Sequence, residues 1–138
     1  MLLQQASGSF VSSQTDLFEQ DALAEDVTAT FFDADGDSFP DLLVGSGGIE
    51  NSNFSPIYSD RLYFNDGKGN FTKSSQLFTP TPTSVIEVLD WDKDGDLDFI
   101  SGERAVPFAV GIPVGNWGCS QTAKSPIWME TEALNSLS

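Results

Sequence analysis

Carboxylates crowd two short stretches of this chain, D-A-D-G-D-S-F-P-D at residues 33–41 and D-W-D-K-D-G-D-L-D at residues 90–98. In both, aspartates fall at positions 1, 3, 5 and 9, so Asp33, Asp35, Asp37 and Asp41 recur as Asp90, Asp92, Asp94 and Asp98. Negative groups this close repel one another unless a cation lies between them. Hard oxygen ligands at alternate positions are what Ca²⁺ takes. The second stretch offers the side chains of Asp90, Asp92, Asp94 and Asp98 and the peptide carbonyl of Asp96. The first offers Asp33, Asp35, Asp37 and Asp41 with the carbonyl of Phe39. Two Ca²⁺ sites are expected. Gly95 permits the sharp turn that wraps an ion, whereas its counterpart is Ser38, which predicts weaker binding in the first stretch.

Other chemistries fit less well. An EF-hand shares ligands at positions 1, 3 and 5 but needs a glutamate at position 12 and helices on both sides. Position 12 is Val44 in one stretch and Ser101 in the other. Mg²⁺ takes fewer protein ligands and keeps its waters. A solvated turn explains one Asp/Gly-rich stretch, but two in register point to metal. Because the ligands fill the coordination shell, the ion is read as structural rather than catalytic.

The flanks of these stretches are of strand type. Val27-Thr28-Ala29-Thr30-Phe31-Phe32 and Ser84-Val85-Ile86-Glu87-Val88-Leu89 precede them, β-branched, aromatic and short. Leu42-Leu43-Val44-Gly45 and Phe99-Ile100-Ser101-Gly102 follow, as antiparallel partners. In the first copy Leu62-Tyr63-Phe64-Asn65 and Phe71-Thr72-Lys73 flank an Asp66-Gly67-Lys68-Gly69-Asn70 turn, so the unit is four strands long. Gly8-Ser9-Phe10-Val11 resembles the later Gly69-Asn70-Phe71-Thr72 and reads as the last strand of an earlier unit. Thr79-Pro80-Thr81-Pro82-Thr83 reads as an extended linker. The segment from Gly111 onward lacks the turn and phenylalanine strand of the first copy, and a turn or two of helix is expected between Trp128 and Leu137.

The 138 residues suit one domain, with 39% hydrophobic residues to build a core. Net charge is −15, and nine of the 14 aspartates lie in the two stretches. Two Ca²⁺ ions would bring the charge to −11. Such acidity disfavours nucleic acid and anionic membranes as partners. With no histidine and one cysteine, Cys119, the chain holds no Cys/His zinc site, no Ser-His or Cys-His pair and no internal disulfide. No apolar run reaches membrane-helix length, so no membrane insertion is expected, and the first residues lack the features of a signal peptide.

Tyr58, Tyr63, Trp91, Trp117 and Trp128 could line a sugar-binding face, although core packing is the simpler use for all but Trp91. Asn53-Phe54-Ser55 and Asn70-Phe71-Thr72 match the glycosylation sequon, a weak pattern. Glu50, Glu87 and Glu103 would serve a glycosidase only if two stood at a defined separation.

Strand, aspartate loop, D-L-L-V-G strand and L-Y-F-N-D-G-K-G-N-F-T together resemble the FG-GAP/VCBS repeat family, over roughly residues 8–110. The F-F-D-A-D-G-D and V-G-S-G-G runs, with G-E-R-A-V-P at 102–107, are most similar to its cartilage acidic protein-like, ASPIC/UnbV-associated branch. Integrin α-chain propellers carry related calcium loops. The resemblance implies an all-β fold, a partial β-propeller of about two four-stranded antiparallel blades, as a fragment of a seven-bladed propeller. It divides the chain into the end of a preceding blade and linker (1–26), a first repeat (27–78), an incomplete second repeat (84–118) and a divergent tail (119–138). It implies a non-enzymatic, calcium-binding scaffold for adhesion or interaction, extracellular or at the cell surface, with a protein or glycan ligand. The alternative is a non-catalytic part of a polysaccharide-processing enzyme or a carbohydrate-binding protein. Two blades cannot close a ring, so self-association is a further expectation.

Overall fold

The computed structural model describes residues 1–52 and 55–103 and the backbone of Trp117–Ser120. These form three antiparallel sheets with little helix. A hairpin of β1 (Leu2–Gln4) and β2 (Phe10–Ser12) leads into a short helix, α1 (Thr15–Glu19). A four-stranded meander follows in the order β3 (Glu25–Phe32), β4 (Asp41–Gly47), β5 (Arg61–Asn65) and β6 (Phe71–Lys73). A 3₁₀ turn, Pro56–Tyr58, lies between β4 and β5. The third sheet comprises β7 (Thr83–Leu89), β8 (Asp98–Glu103) and β9 (Trp117–Ser120). The second unit thus has a third strand, although its sequence there, Trp-Gly-Cys-Ser, shares nothing with Arg-Leu-Tyr of β5. Main-chain pairing does not require the side chains to match. The expected Trp128–Leu137 helix, the Asn53 sequon and the side chains of Trp117 and Trp128 lie outside the described residues.

The strands form where β-branched and aromatic residues cluster, and glycines at positive φ close the turns. In the β5–β6 hairpin these are Gly67 (φ 73°) and Gly69 (φ 85°). The repeat extends to register. Phe32 pairs Asp41 as Leu89 pairs Asp98, and Leu42 pairs Tyr63 as Phe99 pairs Ser120, all at the spacing that separates Asp33 from Asp90. Even the register shift between Asp26 and Thr28 recurs between Thr83 and Val85. The first hairpin repeats the outer one: Gln4 pairs Phe10 as Asn65 pairs Phe71.

Alternation along the strands gives the four-stranded sheet two apolar faces. One packs Phe32, Ala34, Leu43 and Leu62 against Ile86 and Phe99 of the next sheet, with the Phe32 and Phe99 rings 6.3 Å apart. The other packs Leu42, Val44, Tyr63 and Phe71 against Met1, Leu17 and Phe18. Tyr58 and Tyr63 are each only 1% exposed, so they serve the core, whereas Trp91 is 47% exposed. At the outer edge, Gln14 uses its side-chain amide as a surrogate strand: it donates to the Phe71 carbonyl at 2.8 Å and accepts from the Phe71 N–H at 2.7 Å.

Candidate metal centre

Both aspartate stretches are the connections between the first two strands of their sheets, β3–β4 and β7–β8. Asp33, Asp35 and Asp37 bring one carboxylate oxygen each within 4.8 Å of the others, and Asp90, Asp92 and Asp98 do the same in the second loop. Asp33 and Asp90 occupy the same place. Asp33 accepts from Gly36 N–H and Ser38 N–H at 2.8 Å, and Asp90 from Gly95 N–H at 3.2 Å. Each thereby folds its loop back on itself.

Position 9 does a second job. Asp41 is fully buried, accepting from the peptide N–H of Ala34 at 2.9 Å and of Asn65 at 2.8 Å. Asp98 accepts from Trp91 N–H at 2.9 Å, the repeat of the Ala34 bond. Asp41 therefore ties the loop to β5 and stands outside the first cluster, while Asp98 belongs to the second. Asp37 and Asp94 accept from the N–H of Phe39 and Asp96, at 2.8 and 2.9 Å. Asp94 stands outside the second cluster. The Phe39 ring lies over Gly67, where a built Cβ would meet it at 2.6 Å, so the loop is braced by the neighbouring hairpin.

The carboxylates strain one another. Desolvation, helped by the charges of Asp94 and Asp98, raises the Asp92 carboxyl above its ordinary range. Burial raises Asp41, with Asp35 and Asp37 adding, against the pull of the Asn65 and Ala34 N–H groups. Asp90 Oδ1 is buried without a hydrogen-bond partner. A cation between these oxygens would relieve the repulsion and supply the missing partner, so the donor set fits a hard divalent ion.

The backbone cost of each loop is divided alike. Gly36 (φ 82°) and Ser38 (φ 69°) are left-handed in the first, and Lys93 (φ 63°) and Gly95 (φ 97°) at the same positions in the second. Ser38 is therefore matched by an equally awkward lysine two residues before Gly95.

Residues 48–101 match the family model of the FG-GAP-like repeat. The chain carries an FG-GAP-like repeat. The matched stretch starts after β4 and runs through β5 to β8, so the FG-GAP-like unit straddles two sheets: the outer half of one and the inner half of the next. Repeats of this kind build β-propeller blades, and the open sheets here are such blades. They act as interaction modules, are in general structural rather than catalytic, and are typical of extracellular or surface proteins. No curated protein and no solved structure matches the chain. Among the described residues no helix is long and apolar enough to cross a membrane.

Residues with other possible chemistry are dispersed. Glu50 accepts from Ile49 N–H at 2.8 Å, Glu87 faces Ile100 across the β7–β8 ladder, and Glu103 ends β8. Asn70 is exposed in its turn, its amide donating to Asp66 at 2.7 Å. Sequence reading missed a buried polar group on the far side of the blade. Arg61, 7% exposed, pairs with Asp26 and donates to Ser46 Oγ at 3.1 Å. Asp21 accepts from Tyr63 at 2.7 Å and Lys73 at 2.5 Å. Partners this far apart in the chain leave no spacing signal.

Proposed function

We propose that this chain is a calcium-stabilised piece of a β-propeller, serving as an extracellular scaffold for adhesion or interaction with a protein or glycan ligand. One Ca²⁺ would sit in each aspartate loop. Asp33, Asp35 and Asp37 would hold the first, with Asp41 behind them and the Phe39 carbonyl completing the set. Asp90, Asp92 and Asp98 would hold the second, with Asp94 and the Asp96 carbonyl. The observation that carries this reading is the buried, unpartnered Asp90 Oδ1 beside two further gathered carboxylates, in a loop whose flanking register is repeated in the preceding sheet.

The ion's role is to fold rather than to react. Binding only the native loop stabilises by mass action, about 2.7 kcal/mol per site at a hundredfold excess over Kd. Thermal melts in millimolar calcium and in excess chelator, with calcium counted by equilibrium dialysis, test it. A higher Tm with calcium and about two ions per chain are expected. Identical melts and no bound ion would remove the reading.

A further inference from the structure

A cavity of about 370 Å³ opens on the first blade, at the end away from its aspartate loop. Its walls are the segment before β3, the β4–β5 connection, the start of β5 and the end of β6 with the segment that leaves it. Every wall thus belongs to one blade and its own connections. The volume falls in the range of about 300–1,000 Å³ that small-molecule sites occupy.

Four ionisable side chains line it, Arg61, Lys73, Asp21 and Asp60, and at neutral pH their charges balance. Each cation already has its anion. Lys73 Nζ lies 2.5 Å from Asp21 Oδ1, and Arg61 pairs with Asp26, which does not line the cavity. Both oxygens of Asp60 are engaged, by Ser46 N–H and the Thr83 hydroxyl. No charge is left over for an ionic ligand.

What is left is hydrogen-bonding capacity of both kinds. Arg61 is 7% exposed, and its Nε–H is buried without a partner. An unmet buried donor calls for an oxygen, and the cavity is the open space beside it. Lys73 gives Asp21 one of its three N–H groups. The Ser59 and Ser75 hydroxyls and the Gln76 amide both give and accept. Uncharged groups that meet donors and acceptors at once are hydroxyls. A carbon ring that carries them also has an apolar C–H face, and the cavity offers Ile57, Leu62 and Phe78 to cover it. Leu62 and Phe78 are fixed by the core between the blades, so that wall is preformed.

We propose that this cavity binds a neutral sugar unit, its hydroxyls on Arg61, Lys73 and Asp21 and its C–H face against Ile57, Leu62 and Phe78. Hydrogen bonds from hydroxyls to these charged groups are of the stronger, charge-assisted kind. The proposal rests on the reading of the chain as an interaction scaffold and narrows its ligand to a glycan. It does not depend on calcium, whose loops lie at the other end of the strands.

The test is saturation-transfer NMR on the whole chain in millimolar calcium, titrated with glucose, galactose, mannose and N-acetylglucosamine. Glucuronate and glucosamine are the charged analogues, and triglycine stands for a peptide. At least one neutral sugar is expected to bind, with a Kd of about 1 mM, and more tightly than the charged analogues or triglycine. Ser75→Trp, at an exposed position on the wall, fills the cavity and should weaken binding about tenfold or more. Lys68→Gln, in the exposed β5–β6 turn outside it, should leave binding unchanged. Circular dichroism and the calcium-dependent gain in Tm confirm that both variants fold. No binding by any of the neutral sugars, tighter binding of a charged analogue or of triglycine, or undiminished binding by Ser75→Trp would each overturn the proposal. Sugar binding without a calcium-dependent gain in Tm would remove the calcium reading and leave this one standing.

Discussion

Thr83, the first residue of β7, donates its hydroxyl to Oδ2 of Asp60 at 3.0 Å, and both residues are buried. The other oxygen of Asp60 accepts from Ser46 N–H at 3.0 Å. A carboxylate at the end of the β4–β5 connection thus joins the first blade to the start of the second. The linker between them is short of regular hydrogen bonds, with prolines at 80 and 82, so this contact helps fix where β7 begins.

Asp60 makes the joint pH-dependent. Burial, partly offset by Ser46, Thr83 and Arg61, pushes its carboxyl from 3.8 up to about 6, with the Glu103 charge adding to the rise. The folded chain then holds this proton more tightly than the unfolded chain does. Its stabilising effect is full below pH 3.8 and is lost as pH rises through 6. A shift of that size is worth about 3 kcal/mol. Asp60→Asn keeps an acceptor for Ser46 and removes the charge. Its Tm advantage over wild type should grow between pH 4 and pH 7 and then level. A pH-independent difference would refute this.

Gly45 and Gly95 are needed for different reasons, and alanine separates them. At Gly45 the backbone is ordinary but three side-chain atoms from both blades crowd the Cβ position. Gly45→Ala forces the blades apart and should cost about 1–3 kcal/mol in chemical denaturation. At Gly95 nothing lies within 4 Å, but φ is +97°. Gly95→Ala should cost about 1–2 kcal/mol through backbone strain. Adding Thr83→Ser, which trims a methyl facing Gly45, should recover part of the first loss and none of the second.

Much of this was legible because register and ligand spacing share one periodicity. Asp33 and Asp90 announce the loops, and the apolar runs on either side announce β3, β4, β7 and β8. What stayed hidden depends on direction and distance. Spacing places Asp41 at the ninth position of its loop, but does not show that its two oxygens accept from the peptide N–H groups of Ala34 and Asn65. It gives no hint of β9, which pairs through main chain with a sequence unlike β5. Nor does it join Arg61 to Asp26, a contact made only after two sheet turns. Nor does it mark Lys93 as left-handed, since Gly95 two residues on already supplies a glycine for the turn.

Ser38 and Lys93 occupy left-handed backbone that glycine fills without strain. Ser38→Gly and Lys93→Gly should each relieve about 1 kcal/mol of steric cost, less the extra entropy glycine loses on folding. Modest gains in Tm are expected for both. If Ser38 alone limits the first loop, only its replacement would raise calcium affinity. Comparable gains at both sites, measured by calorimetric titration, would show that the two loops share the burden.

Asp41 and Asp90 should fail in opposite ways. Asp41→Asn turns an amide toward two peptide N–H donors and leaves a buried group unpaired, a loss of about 1–3 kcal/mol. That loss should appear in excess chelator, because the bonds to Ala34 and Asn65 need no ion. Asp90→Asn removes charge from an oxygen without a protein partner, so it should barely change the chelated melt. Its effect should appear only when calcium is added, as a lost increment in Tm. Parallel melts of both variants, with and without calcium, check the division. Equal losses for both in chelator would mean that Asp90, like Asp41, serves the loop rather than an ion.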